Sequence, residues 1–182
     1  MTKKLAPIEE PYPEAVSAIL PKYPEINGYL LTLFRTFANS PRFLEKGVPN
    51  LLDDQSPLPL RIREIVILRV TANKKCEYEW GIHVTVFGLA AEFSKAQIKD
   101  TATTRIDHTL WSDDEINLLE AIDQICDEGR IDQSTHEQFQ RRWTAVQQLE
   151  ILALCGTYHT VCFVANIADL PLESFAARFP SE

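Results

Sequence analysis

The stretch LPLRIREIVILRVTANKKCEYEWGIHVTVFG, residues 58–88, decides the fold. Its first half is ambiguous, because IVILRV is rich in β-branched residues and reads as a short buried strand as well as a helix. The flanks favour a helix ending near Asn73, a residue that tolerates the left-handed position after a helix C-terminus. The second half gathers Cys76, Tyr78, Glu79, Trp80 and His83 in a run that also reads as helix. With Cys76 at zero on a helical wheel, Glu79 falls near about −60°, Trp80 near about +40° and His83 near about −20°. These four share one face, unlike a simple wet face, where charges lie opposite the aromatics.

Three chemistries fit that face. The residues can simply pack, with the histidine hydrogen-bonded to a carbonyl, and spacing alone favours this. Cys76 can be a reactive thiol, although about 10 Å of helical rise separates it from His83, so a direct bond is not expected and Glu64 on the preceding helix is the candidate bridge. Metal binding through Glu79 and His83 with Cys76 is the third reading, and no H-E-x-x-H or second histidine pair supports it.

Outward from this stretch, helix starts are written as capping boxes at Ser94/Gln97, Ser112/Glu115 and Ser134/Glu137. Ser40-Pro41 and Ser56-Pro57 add the pattern of an N-cap followed by proline. Ile116, Leu118, Leu119, Ile122 and Ile125 recur at helical spacing, and no convincing hairpin dipeptide is expected anywhere. Five of the eleven prolines, Pro7, Pro11, Pro13, Pro21 and Pro24, fall early in the chain, which predicts an extended arm over residues 1–25 with at most one short helix. Residues 26–182 are expected to form a single helical domain, since 182 residues with 45% hydrophobic content build one full-sized core.

The net charge of −8 opposes the Lys/Arg field that phosphate backbones require, so nucleic acid is excluded as an expected partner. Four cysteines at 76, 126, 155 and 162 lack metal-knuckle spacing, and with no apolar run after the first lysines they fit reduced thiols in a cytoplasmic protein. The apolar run 151–170 carries His159, Asn166 and Asp169 and is expected to be a buried helix or helix pair, with no membrane involvement. Glu150 and Cys162 repeat the Glu64-to-Cys76 spacing, which reads as chance.

The 58–88 stretch resembles the core segment of the carboxymuconolactone decarboxylase family, which shares its all-α fold with alkylhydroperoxidase D. The resemblance covers about residues 30–172, including GTYHTVCFVANIADLPL, and is most specific over 59–88. The peroxidase branch of that family has a glutamate, eleven residues, C-x-x-C, and a histidine four residues on. Glu64, Cys76 and His83 stand in those positions, while Glu79 replaces the second cysteine and removes the vicinal dithiol. In the decarboxylase branch a glutamate and a histidine stand four apart on this helix, and Glu79 with His83 look like that pair.

The resemblance therefore implies two activities. One is a peroxiredoxin-type thiol oxidoreductase, in which Cys76 reduces a hydroperoxide, Glu64 and His83 relay protons, and an external thiol or another cysteine regenerates the enzyme. The other is cofactor-free acid/base chemistry by Glu79 and His83 on a small acidic lactone whose carboxylate Arg61 or Arg63 would hold. Trp80, Tyr78 and His159 are the further substrate-contact candidates. A non-catalytic assembly module is the remaining alternative. No cofactor or metal is expected, and a homo-oligomer, a trimer or hexamer, is implied by the family.

Overall fold

The computed structural model describes residues 5–181. Its central helix is α4, Leu60–Asn73, buried from Glu64 through Thr71. The β-branched run that left the sequence ambiguous thus sits in a helix enclosed by packing, where tertiary burial outweighs intrinsic propensity. α4 is contacted by α5 (Glu77–Phe87), α7 (Asp113–Glu128) and α9 (Ala145–Ile167). Arg69, though buried on α4, is fully used: its guanidinium donates to both Asp123 oxygens on α7, at 2.5 and 2.7 Å, and to the carbonyls of Thr101 and Thr103.

Two apolar clusters flank this helix. One joins α4 and α7 with α8 (Gln133–Arg142) and the first half of α9, through residues such as Ile67, Leu118, Ile122 and Ile151. The other joins α5 and the second half of α9 to the N-terminal elements. Those elements are α1 (Glu14–Ser17), a 3-10 turn at Leu20–Lys22, strands β1 (Glu25–Ile26) and β2 (Tyr29–Leu30), α2 (Thr32–Phe37) and α3 (Pro41–Lys46). The proline-rich segment packs on its own chain, with Val16 and Leu20 buried in the second cluster and Ile8 N–H bonded to the Arg35 carbonyl.

Several local expectations need correction. β1 and β2 form an antiparallel hairpin, Glu25 opposite Leu30 and Ile26 opposite Tyr29, where none was expected. Its turn is Asn27-Gly28, with φ of 53° and 78°, the left-handed pair that a two-residue hairpin requires. Ser94 and Ser112 cap α6 (Lys95–Thr101) and α7 through complete capping boxes, but Ser134 caps nothing, because Asp132 accepts the Thr135 N–H and starts α8 two residues earlier. Ser40 caps α3 before Pro41 as expected, whereas Ser56 lies outside a helix and Pro59 precedes α4. Residues 151–167 belong to one helix, α9, started by a Thr144/Gln147 capping box. By length and composition α9 could cross a membrane, yet Ile151, Leu154, Tyr158, Val161 and Cys162 on one side are buried in the domain.

Candidate active site

The turn between α4 and α5 places the key residues. Lys75 takes a left-handed φ of 52°, and Cys76, at φ −96° and ψ 79°, is the N-cap of α5 rather than a residue inside it. The shared face drawn from Cys76 does not form. Glu79 and His83, one turn apart, face α4 and α9, while Trp80 turns toward α6, donating from Nε1 to Thr101 Oγ1 at 3.0 Å and packing on Phe179. Glu77 and Glu79 in the first turn complement the positive end of the α5 dipole.

His83 is the hub. Its Nδ1 lies 2.8 Å from Glu64 Oε2 on α4, and its Nε2 lies 2.9 Å from the Tyr158 hydroxyl on α9 and 3.8 Å from Glu79 Oε2. A carboxylate accepts only, so Nδ1 carries the proton toward Glu64. Burial alone would push the His83 pKa down; the charge and hydrogen bond of Glu64, with Glu79 adding, more than offset it and leave the imidazole above its ordinary value. Tyr158 is held well above the usual phenol range by burial and then by Glu79 and Glu64, so its hydroxyl keeps its proton, and protonated His83 donates Nε2–H to the Tyr158 oxygen across the 2.9 Å contact. Glu79 is pushed up to about 7, mainly by burial, with His83 pulling it down and Glu173 up. Its Oε1 is buried without a hydrogen-bond partner.

Glu79, His83 and Tyr158 form the polar patch of a cavity of about 460 Å³. The other walls are mostly apolar, among them Leu33, Phe34, Phe37, Val48, Ile82 and Phe87. The N-terminal segment supplies part of the wall through Ile19, Lys22, Tyr23 and Pro24. Among the described residues Lys22 is the one Lys or Arg lining the cavity, against carboxyls at Glu25, Glu45 and Glu79.

The structure thus brings together Glu64, Glu79 and His83, and adds Tyr158, the neighbour of His159 on α9. Glu64 bonds His83 but does not bridge it to Cys76. Cys76 is fully buried, lies outside the cavity lining, and shares its apolar cluster with Cys162. The residues expected to touch substrate lie elsewhere. Tyr78 donates to Glu173 Oε1 at 2.7 Å and accepts from Leu33 N–H. Arg61 pairs with Glu115 at 2.6 Å and donates to the Ala91 and Glu92 carbonyls, and Arg63 donates to the Asp53 carbonyl. His159 stacks on Phe163 away from the cavity, and burial lowers its pKa. Among the described residues no group of three His, Cys, Asp or Glu side chains is placed to hold a metal.

No family model matches the chain, and no curated protein matches it significantly. Among solved structures it is similar to the apo debrominase Bmp8, with a TM-score of 0.73 at 14% identity over 96% of this chain and 95% of that one. A cysteine-to-alanine variant of Bmp8 in complex with 2,3,4-tribromopyrrole gives a TM-score of 0.71 at 12% identity, over 96% and 94% of the two chains. At such identity the likeness shows the fold, which is the all-α alkylhydroperoxidase D-like fold expected from residues 58–88.

Proposed function

We propose that this chain is an enzyme that moves protons on a small, uncharged, largely apolar ring compound bound in the cavity, with Glu79 exchanging the proton. The observation that carries this reading is the Glu79 carboxyl: buried in the cavity wall, one oxygen unpartnered, and with a pKa of about 7. A group that titrates near neutrality both accepts and donates protons efficiently. Glu79 takes a proton from carbon beside a carbonyl, and the Tyr158 hydroxyl, whose oxygen accepts Nε2–H of protonated His83 with Glu64 behind it, turns its own proton to the oxygen on which negative charge develops.

An acidic lactone is a poorer fit, because neither Arg61, paired with Glu115, nor Arg63 lines the cavity and a carboxylate would meet the buried carboxyl of Glu79. The ligand of the solved neighbour, 2,3,4-tribromopyrrole, is itself an uncharged ring. The test is exchange of the α-hydrogens of 2-tetralone in deuterated water, followed by NMR. Wild-type protein is expected to accelerate exchange above background, and Glu79→Gln to lose about 10²-fold or more of that acceleration. Absence of any wild-type acceleration sinks the reading.

A second reading, a thiol oxidoreductase of peroxiredoxin type at Cys76, is favoured by a second thiol, Cys162, against the first. It ranks below proton transfer because Cys76 does not reach the cavity wall, whereas Glu79 and His83 do. A Cys76→Ala variant that consumes hydroperoxide as fast as wild type removes it.

A further inference from the structure

The glutamate at position 79 leaves no C-x-x-C pair on α5, but the fold returns a second sulfur from far along the chain. Cys162 on α9 lies one turn beyond Tyr158 and shares a buried apolar cluster with Cys76, whose thiol is the first cause of the upward shift of the Cys162 pKa. Both residues are fully buried in the same apolar cluster, with Tyr78, Val161 and Ala165. The backbones that carry them are pinned on both sides: Cys76 N–H donates to the Thr71 carbonyl at 2.9 Å, and Asn166 Nδ2, one turn after Cys162, donates to the Lys74 carbonyl at 2.9 Å. The other two cysteines are elsewhere. Cys155 and Cys126 belong to the first apolar cluster.

We propose that Cys76 and Cys162 are a redox-active dithiol that closes to a disulfide across the back of the cavity wall, joining the start of α5 to α9. The disulfide would tie the helix bearing Glu79 and His83 to the helix bearing Tyr158. With a hydroperoxide as oxidant the atoms balance in two steps. The Cys76 sulfur attacks the peroxide oxygen, the O–O bond breaks, and Cys76 sulfenic acid forms with release of an alcohol or water. The Cys162 sulfur then displaces hydroxide from that sulfenic acid, giving the S–S bond and one water, so two electrons pass from the thiols to the peroxide. Cys76 is written as the attacking sulfur because Cys162, buried and beside a second thiol, holds its proton more firmly than a free thiol does. Val161, next to Cys162, and Glu79, three residues after Cys76, both line the cavity, so the pair lies close behind that wall. This pair is independent of the proton-transfer reading, which concerns the reduced protein and Glu79.

The experiment is peptide mapping of the full-length protein after one equivalent of hydrogen peroxide, acid quenching and alkylation under denaturing conditions. The expected product has lost two hydrogens, links the Cys76 peptide to the Cys162 peptide, and returns to two free thiols with dithiothreitol. Cys162→Ser should instead stop at a Cys76 sulfenic acid that dimedone traps, while Cys126→Ser keeps the link. A Cys126–Cys155 link in place of this one, or Cys76 and Cys162 both recovered as free thiols from wild-type protein, overturns the proposal. The wild-type map decides even if the serine variant does not fold.

Discussion

Position 79 carries a carboxyl where the peroxidase pattern has a sulfur, and the consequences extend to folding. Because the folded-state pKa of Glu79 is raised from 4.5 to about 7, the protonated form is the one the fold favours. That contribution is fully present below about pH 4.5 and is lost as pH rises through about 7, and the upward shift of His83 acts in the same direction. Glu79→Gln, which stays neutral, should therefore gain stability relative to wild type as pH rises from 5 to 8, by up to about 3 kcal/mol. Urea unfolding of both proteins at the two pH values measures it; equal pH dependence would mean that Glu79 is solvated. The Glu79–His83 pair was legible in the sequence because it depends only on i, i+4 spacing. The placement of Cys76 was not, because the wheel assumed that it was already helical and a left-handed Lys75 cannot be read from residue type, and that of Trp80, about 100° from Glu79, depends on Thr101 and Phe179 far along the chain.

Among elements, α5 is clamped between the core and the last residues of the chain. Ala177 N–H donates to the Gly81 carbonyl at 3.1 Å, and Phe179 N–H donates to Glu77 Oε1 at 2.8 Å. A Cβ at Gly81 would stand 2.1 Å from the Ala177 carbonyl oxygen, a backbone atom that no rotamer change can move. Gly81→Ala should therefore lower stability by about 1–3 kcal/mol, despite alanine's better helix propensity. A urea midpoint equal to or above wild type would show that the C-terminal segment yields freely. Sequence reading found α6 and α7 because their capping boxes are local, and α4, which has no side-chain cap, only through its flanks. It missed the Asn27-Gly28 hairpin because strands of two residues are too short to show alternation. The Thr144/Gln147 box was present in the sequence with the same T-x-x-Q logic and was overlooked.

At the scale of the whole molecule, the cavity was the least legible feature, since its walls come from the N-terminal segment, α2, α3, α5 and α9, and Tyr158 meets His83 across 75 positions of sequence. α9 has a second consequence at this scale. Its buried side carries Tyr158 and Cys162, but Val146, Leu149, Leu152, Phe163 and Ile167 are exposed on the opposite side, several more than half so. At about 100° per residue these five fall within one stripe along the whole helix, with Gly156 at its centre offering an open backbone for close approach. A stripe on a single helix that is self-complementary about its midpoint suits a second copy of this chain, a pairwise contact from which the trimer or hexamer implied by the family resemblance would still have to be built. Sedimentation velocity should show wild-type protein as an oligomer, and the double variant Leu149→Glu, Phe163→Glu as a folded monomer, because each copy would bring two charges into the apolar seam. Wild-type protein that sediments as a monomer at tens of micromolar would leave the stripe bare and remove the oligomer from the account.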